Sequence, residues 1–438
     1  MKLEFVSNTG FYLENNGVVF GMDLWLTQGA FEGSWFHFPP LRQTRFNVRD
    51  CSFIYISHIH PDHCDFATLA KANRETQFIV PNYFNNLLAR KLRAFGFKNI
   101  ASLAPEEELE LAPQLRVRLF PQFTNNLFHE AAFGNLIDSA LMVEWEGRTI
   151  INCNDNYLNP KWSKRLSAEY PNLDLLLAPH SASGPYPANF HNLSLAEKKT
   201  ESERLQKQYI SHWCESVIQL APKIAVPCAA EYAVVGNLCH KNEYMGLADP
   251  AMAVSELIRL QEGESPTLPI QLDCGTILDI DTGLVEGLPV RQYSLSEKLE
   301  FANALNFIPF DYQWEDSFSD IDFDELFVSA RQALWRKQKQ MNWFLNYRVV
   351  FIIDERPEYA FNFSAEDVEL VHSEEYCRSR PVLECYLSRQ LLYQILTRRA
   401  HWNNAEGGMH IEFYRDPNTY IPEVFTLLSF LCVPASRT

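Results

Sequence analysis

Short apolar runs alternate with polar positions along the first 26 residues, which is the pattern of strands in a half-buried sheet. Apolar side chains cluster at 3–6, 11–13 and 18–20. Asn16-Gly17, between the second and third clusters, is a strong hairpin-turn signal. The pattern predicts three short strands, the last two joined by a tight turn.

Strand and helix patterns alternate over the next two hundred residues. We predict strands at Cys51–Ser57, Gln77–Val80, Arg116–Phe120, Ala140–Trp145, Thr149–Cys153, Leu173–Ala178 and Ile224–Pro227. Helices are predicted at Phe66–Ala72, about 83–95 and 194–221. Because side chains of metal-binding type follow several strands, the pattern indicates layered α/β packing with a site along one rim of the sheets.

The last third of the chain has a different pattern. Residues from about 262 to 300 are rich in Pro, Gly and Asp, as a connection is. Helices near 325–341 and 385–399 then flank strands at Arg348–Ile353 and Met409–Phe413. We predict a larger α/β domain over 1–265, a connecting segment over 266–300 and a small α+β domain over 301–438.

Composition narrows the classes of partner. Of the 438 residues 47% are hydrophobic, which is ample for a large core. The formal net charge of −17 offers no counterion release on nucleic acid, so DNA and RNA are not expected partners. No apolar run approaches 18 residues, so no membrane-spanning helix is expected either. The sequence gives no indication of oligomeric state.

Cysteine usage indicates a reducing compartment. The ten cysteines are scattered and form no C-x-x-C pair, which argues against a structural zinc ribbon. The N-terminal residues lack the apolar core of a signal peptide. We therefore expect buried, reduced thiols in a cytoplasmic protein.

The run Ser57-His58-Ile59-His60-Pro61-Asp62-His63 is the strongest chemical signal in the chain. His58 and His60 share one face of a strand end and can reach one ion. Asp62 and His63 follow the turn at Pro61 and can face a second. Imidazole suits zinc, iron and copper, and a carboxylate hardens the second site. Two ions ~3.5–4 Å apart can hold a bridging oxygen species.

This run resembles the metal-binding motif of the metallo-β-lactamase superfamily, and longer stretches resemble the catalytic domain of the CMP-N-acetylneuraminate hydroxylases. The matching segments are 23–27, 31–35, 54–63, 138–139, 146–152, 182–187, 222–227 and, most weakly, 413–417. The resemblance implies an α/β fold, an αββα sandwich of metallo-β-lactamase type, followed by a smaller α+β, sterol-carrier-like C-terminal domain.

Ligands are implied by the same resemblance. His58, His60, Asp62 and His63 match its histidine motif, and Asp155 matches its bridging aspartate, with Asp62 and Asp155 as the catalytic carboxylates. A further ligand is expected at His129 or its neighbour Glu130. The last histidine is expected at His240, with His180 as the alternative. Glu231 is left open as a supporting acid or an extra ligand.

One departure from the hydroxylases bears on the reaction. They carry a Rieske iron–sulfur domain, whose C-x-H and C-x-x-H pairs are absent from this sequence. Because oxygen activation consumes two electrons, either a separate redox protein supplies them or the reaction is not an oxygenation. The CMP-sugar substrate of the family is therefore not carried over.

Three functions remain in view. The first is a non-haem diiron oxygenase, a hydroxylase acting on a small or carrier-bound substrate with electrons from a separate protein, and it is favoured because the nearby carboxylates suit iron. The second is a dinuclear zinc hydrolase of an ester, lactone, amide or phosphodiester, in which the ions activate a bridging water. The third is a metal-stabilised binding module without catalysis.

The aromatic residues of the C-terminal domain allow two interpretations. Trp335, Trp343 and Trp402 either line a pocket or an interface, or pack an ordinary core. We expect the domain to cover the metal site and to shape the choice of substrate.

Overall fold

The computed structural model describes residues 1–83, 86–123, 127–133, 138–262, 267–314, 321–371 and 376–434, with the side chains of Glu130 and Trp314 outside that description. Its strands are β1 (Lys2–Ser7), β2 (Gly10–Asn15), β3 (Val18–Met22), β4 (Trp35–His37), β5 (Cys51–Tyr55), β6 (Gln77–Pro81), β7 (Ile100–Leu103), β8 (Glu108–Ala112), β9 (Leu115–Pro121), β10 (Ser139–Trp145), β11 (Arg148–Asn152), β12 (Leu175–Pro179), β13 (Ile224–Cys228), β14 (Tyr232–Val234), β15 (Leu268–Pro269), β16 (Ile277–Asp279), β17 (Val285–Glu286), β18 (Arg348–Ile353), β19 (Arg356–Asn362), β20 (Val368–Leu370), β21 (Val382–Leu387) and β22 (Glu412–Asp416).

Helices connect and cover these strands. The α-helices are α1 (Ala30–Gly33), α2 (Phe66–Leu69), α3 (Leu87–Phe95), α4 (Leu127–Phe133), α5 (Pro160–Glu169), α6 (Leu195–Leu220), α7 (Pro250–Leu260), α8 (Leu295–Ala304), α9 (Phe323–Met341), α10 (Arg389–Leu396), α11 (Trp402–Gly407) and α12 (Pro422–Leu428). Short 3-10 helices lie at Val48–Asp50, Gly236–Tyr244 and Asp311–Trp314. None of the described helices combines the length and apolarity that crossing a bilayer requires.

Two large sheets pack face to face. The first has the order β17-β16-β1-β2-β3-β5-β6-β7, and the second has the order β15-β13-β12-β11-β10-β9-β8. Their inner faces share one apolar core, in which Phe20 and Tyr55 of the first sheet pack with Leu177 and Val226 of the second. Burial of these alternate side chains drives the sandwich together, as the period-two pattern predicts.

Helices cover the outer face of each sheet. Leu88 and Leu92 of α3 pack on the first sheet, and Trp213 and Val217 of α6 pack with Leu257 of α7 on the second. The layers are therefore helix, sheet, sheet and helix. The α/β sandwich predicted from the sequence is confirmed.

Two local expectations meet different outcomes. β2 and β3 form the predicted hairpin, and Asn16 and Gly17 both adopt the positive φ values, 51° and 81°, that its tight turn requires. The segment 266–300 is more than a connection, because β16 pairs with β1 and β15 pairs with β13. Backbone pairing at a sheet edge needs little apolar patterning, so the Pro- and Gly-rich sequence gave no strand signal. The domain boundaries themselves stay a prediction.

The C-terminal part is built on a separate five-stranded sheet of order β20-β19-β18-β21-β22. Its core gathers Phe327 from α9, Phe351 from β18, Leu391 from α10 and Trp402 from α11. The strand predicted at Arg348–Ile353 is confirmed residue for residue, whereas the one predicted at 409–413 begins at Glu412. Trp402 is core, while Trp335 and Trp343 are half-buried.

Contacts along β22 hold the C-terminal sheet against the sandwich. Phe413 exchanges backbone hydrogen bonds with Asn189 and His191, and the buried Lys241 ammonium lies 2.7 Å from a Glu412 carboxylate oxygen. Trp35 Nε1 donates to the Gly407 carbonyl, 3.2 Å away. These contacts bring α11 and β22 over the rim where β3, β5 and β11 end.

Candidate metal centre

The histidine run begins two residues beyond the end of β5, a central strand of the first sheet. Ile56 and Ser57 continue in the direction of the strand, and the chain then turns. In this turn the backbone amides of His63 and Cys64 donate hydrogen bonds to the His60 carbonyl over 3.0 and 2.8 Å. Because the turn reverses the chain, His58 and His63 come to the same place and their rings lie 4.1 Å apart.

Asp155 reaches this cluster from the second sheet. It follows β11, whose end at Asn152 is paired in parallel with β12. His63 Nε2 and Asp155 Oδ2 are 3.1 Å apart, and ligand atoms of His58, His63 and Asp155 all lie within 4.8 Å of one another. The arrangement could hold a metal ion, since two imidazoles and a carboxylate converge on one point.

Asp62 contributes a second carboxylate with an unpaired oxygen. Its Oδ2 accepts a 2.8 Å hydrogen bond from Asn8 Nδ2 and lies 3.3 Å from His63 Nε2. Its Oδ1 is buried and has no hydrogen-bond partner among the described residues. A buried carboxylate oxygen without a donor is costly, so a bound cation fits this position.

Asp23, at the end of β3, supports the cluster from behind. Its fully buried carboxylate accepts from Ser57 N at 2.8 Å and Ser57 Oγ at 2.7 Å, and lies 3.1 Å from His63 Nδ1. A carboxylate at Nδ1 favours the tautomer that protonates this nitrogen and leaves Nε2 free to bind a metal. The sequence interpretation did not single out Asp23 for this role.

Asp138 is a further site residue that the sequence interpretation missed. It directly precedes β10, and its Oδ1 lies 3.3 Å from His58 Nδ1. Burial, together with the charge of Asp155, raises the pKa of the Asp138 carboxyl to about 6. The available signal was a carboxylate at the start of a second-sheet strand, within a segment that also matches the hydroxylases.

His60 links the cluster to the C-terminal part. Its Nδ1 lies 2.8 Å from His58 Nε2, and its Nε2 lies 2.6 Å from Asn403 Oδ1 on α11. His60 is half-buried and borders a large cavity. The four residues of the histidine run and Asp155 are therefore brought together.

The pKa values of His58 and His63 are shifted in opposite directions. Burial, followed by the charges of His63 and His60, holds the pKa of His58 well below its usual range. Burial also acts to lower the pKa of His63, but Asp62, Asp155 and Asp23 outweigh it and raise that pKa well above its usual range. The site is thus strongly anionic around His63, which favours a cation there.

The remaining sequence candidates are His129, Glu130 and His240. His129, on α4, has its Nδ1 3.1 Å from Thr426 Oγ1, and the neighbouring Glu130 has a side chain outside the described residues. His240 is exposed, and its Nδ1 lies 3.1 Å from the Asn237 carbonyl of its own 3-10 helix. The structure does not bring His240 into the cluster, because the chain after β13 turns away through β14.

His180 and Glu231 are also engaged outside the cluster. Both nitrogens of the buried His180 ring face backbone carbonyls, those of Cys228 at 2.9 Å and Ala248 at 3.0 Å. Glu231 Oε2 accepts from Asn8 N over 3.3 Å. Asn8 also donates to Asp62, so Glu231 touches the loop that orients a cluster carboxylate.

A cavity of about 660 Å³ opens directly onto this centre. Its floor includes His60, Asp62, Asp138 and Asp155, and Asn403, Glu406, Arg415, Tyr420 and Phe425 of the C-terminal part line its wall. Residues of the C-terminal part therefore border the cavity beside the candidate ligands, and its effect on the choice of substrate stays a prediction. A cavity of this size accommodates a small molecule.

Glu406, in that wall, is expected to make the stability of the protein depend on pH. Burial raises the pKa of its carboxyl to about 8, above the ordinary 4.5. The folded state therefore holds the proton more tightly than the unfolded state, and the stability that this contributes is lost as the pH rises from about 4.5 through about 8. Glu406→Gln removes this loss. From about pH 5 to about pH 8, the free energy of unfolding of the variant should therefore rise by at least about 1 kcal/mol relative to that of wild type.

Denaturant unfolding of both proteins at the two pH values measures this difference. Comparing the variant with wild type cancels the other groups that titrate in the same window. Equal pH dependence in the two proteins would contradict a protonated Glu406 at neutral pH.

Comparison with known proteins gives partial matches. No family model matches the chain. It is 24% identical over 231 residues to a protein of Mycolicibacterium smegmatis described as a Rieske 2Fe-2S iron–sulfur protein, covering 52% of this chain and 43% of that one. A Mycobacterium tuberculosis protein of the same description is 24% identical over 210 residues, which is 48% of this chain and 40% of that one. The matched part thus spans about two fifths of these relatives.

Solved structures give matches at low similarity. Igni18, a metallo hydrolase from Ignicoccus hospitalis, is 16% identical with a TM-score of 0.41, covering 66% of this chain and 99% of that one. CmlA, a diiron β-hydroxylase from Streptomyces venezuelae, is 19% identical with a TM-score of 0.42, covering 62% and 53%. A Thermotoga maritima protein described as a Zn-dependent hydrolase of the metallo-β-lactamase superfamily is 14% identical with a TM-score of 0.33, covering 62% and 99%. Of these three proteins, two are described as hydrolases and one as a hydroxylase, and the Thermotoga maritima protein is described as a member of the metallo-β-lactamase superfamily.

Proposed function

We propose that this chain is a dinuclear metal enzyme, with iron as the favoured metal, that hydroxylates a small or carrier-bound substrate using electrons from a separate protein. His58, His60, Asp62, His63 and Asp155 would hold the ions, and Asp138 would join them as a third carboxylate. His129 and Glu130 stay candidates on α4. Bound iron would supply the activation of dioxygen.

The observation that supports iron is the composition of the cluster. Three carboxylates, from Asp62, Asp138 and Asp155, border the cavity beside His60 and lie within 3.3 Å of the rings of His58 or His63. Oxygen-rich ligand sets suit harder ions than the histidine- and thiolate-rich sets typical of zinc. The unpaired Oδ1 of Asp62 supports the presence of a cation.

The protein's own groups would orient the ligands and limit access of water. Asp23 fixes the ring of His63 through Nδ1, and Asn8 fixes Asp62 through Oδ2. Second-sphere contacts of this kind typically change metal affinity or activity by about 10- to 100-fold. The wall of α11 and β22 over the site shields a bound substrate from bulk solvent.

A separate electron donor is supported by two observations. This sequence lacks the ligand pairs of a Rieske centre. Two of the proteins that match it over about half its length carry the Rieske iron–sulfur description. A hydroxylation that consumes two electrons would therefore draw them from a Rieske-type protein or another redox partner.

Metal content and oxygen consumption test the proposal together. We expect about two irons per chain by mass spectrometry after expression with iron, and oxygen uptake that depends on an external reductant and on substrate. Asp62→Ala should abolish both, and Asp281→Asn, at the surface, should change neither. Two zincs, with turnover of an ester, lactone or phosphodiester under argon, would instead establish the hydrolase.

A further inference from the structure

One buried cation stands in the wall of the active-site cavity. Arg415, on β22, is only 6% exposed and lines the same cavity as His60, Asp62 and Asp155. It comes from the C-terminal part, whereas the candidate metal ligands come from the sandwich. The cavity therefore combines a buried cation from the C-terminal part with the carboxylates of the candidate metal centre.

Packing fixes the guanidinium of Arg415. Its central carbon lies 4.6 Å from the centre of the Phe190 ring and 5.2 Å from that of Tyr186. Its Nε donates a 2.8 Å hydrogen bond to Asn418 Oδ1. Stacking on two rings and anchoring through Nε position the terminal nitrogens without neutralising the charge.

No acidic side chain of the described residues pairs with Arg415. Asp416, its neighbour in sequence, pairs at 2.5 Å with Arg380. Glu201, on α6, is engaged by Arg204 at 2.9 Å and by the Tyr186 hydroxyl at 3.0 Å. Buried arginines are nearly always paired, because desolvating an unpaired charge is costly. This unpaired guanidinium therefore indicates a partner that is not part of the chain.

Arg204 also lines the cavity, but unlike Arg415 it is exposed and is paired with an acidic side chain. It is half-exposed, with 51% of its side chain accessible, and it already binds Glu201 and Gln208. The chain as a whole carries a net charge of −17, so an anion is not attracted by the general field of the protein. Binding of an anion at this place needs a local, unneutralised cation, which Arg415 provides.

We propose that Arg415 binds an anionic group of the substrate, a carboxylate or a phosphate, and so places the rest of the molecule over the metal centre. The inference rests on the proposed function, because it takes this cavity as the substrate site. Planar guanidinium matches both anions through two parallel hydrogen bonds. The rings of Phe190, Tyr420 and Phe425 line the same cavity, so the body next to the anion is apolar or aromatic.

Binding of small probes to the metal-loaded full chain tests this inference without any turnover. Phenylacetate and phenyl phosphate are titrated by calorimetry, with neutral phenylacetamide as the matched uncharged ligand. We expect an anion to bind at least about tenfold more tightly than the amide, the effect of roughly one charge-assisted contact. Preference between the two anions identifies the carboxylate or the phosphate as the natural group.

Three variants separate the contributions. Arg415→Gln should abolish the preference for the anion, Arg415→Lys should restore part of it through the charge alone, and Arg204→Gln should leave it within about twofold. Thermal unfolding and metal content of each variant establish that fold and centre persist.

Two results would overturn the inference. One is anion binding that is unchanged in Arg415→Gln, since the metal ions would then hold the anion. The other is the absence of any preference for the anions over the amide. Neither binding measurement depends on dioxygen or on the metal being iron. A negative result for anion binding is therefore distinct from a failure of the proposed reaction.

Discussion

Replacing Asp138 with alanine is expected to reduce the metal content from about two ions per chain to one or none, and to lower metal-dependent turnover by at least about 100-fold. The carboxylate lies 3.3 Å from the ring of His58 and borders the cavity floor beside Asp155. Removing it takes one hard oxygen donor from the cluster. Mass spectrometry of the metal, with a metal-dependent assay, measures the effect.

The stability of the metal-free protein separates this role from a structural one. The charged carboxyl of Asp138 is disfavoured by burial and by Asp155, which raise its pKa to about 6. Its removal should therefore not lower the free energy of unfolding without metal. Asp174→Asn is the matched control, because this buried carboxylate pairs with Lys223 and Arg148 away from the cavity. The Asp174→Asn variant should lose stability and keep both ions. Full metal content in Asp138→Ala would refute the role of Asp138 as a metal ligand.

Trp402→Ala is expected to lower the free energy of unfolding by about 3–5 kcal/mol, the usual cost of emptying a large buried aromatic site. The side chain is only 1% exposed and packs in the core of the C-terminal sheet, with its ring 6.1 Å from that of Phe351. It anchors α11, whose Asn403 contacts His60. The same variant should therefore weaken substrate binding, because the cavity wall loses its support.

Chemical denaturation measures the loss, and two comparisons define it. Trp402→Phe keeps most of the buried volume and should lose clearly less stability. Phe307→Ala, whose side chain is 76% exposed, should change stability by no more than about 0.5 kcal/mol. If Trp402→Ala matched the Phe307 control, Trp402 would not belong to the core.

Local signals explain which parts of the site were predictable. His58, His60, Asp62 and His63 lie within the seven-residue run 57–63, so their proximity follows from the chain itself. Asp155 was predicted from the resemblance to the metallo-β-lactamase superfamily, whose bridging aspartate it matches, and its place after an apolar strand agrees with a site along the rim of the sheets. Asp23 directly follows β3 and Asp138 directly precedes β10. Both lie at a strand end, but neither stands in a run of ligand-type residues, so this weaker signal was not used.

Long-range candidates behaved differently. His240 and His180 both follow predicted strands, and the resemblance to the superfamily left each of them open as the last histidine. The direction of a ring depends on the path of the chain after the strand. His180 turns inward to the Cys228 and Ala248 carbonyls, and His240 lies exposed on a 3-10 helix.

By itself the sequence determined the alternation of strands and helices, the hairpin at Asn16-Gly17 and a candidate metal-binding run after β5, because each depends on side chains that are close along the chain. Only the tertiary structure decided that Asp138 and Asp155 meet that run, and that Asn403 and Arg415 face it from more than 300 residues away. Such contacts are fixed by how sheets and helices bury their apolar faces against one another. That packing brings together polar residues whose positions in the sequence bear no relation to their distance in space.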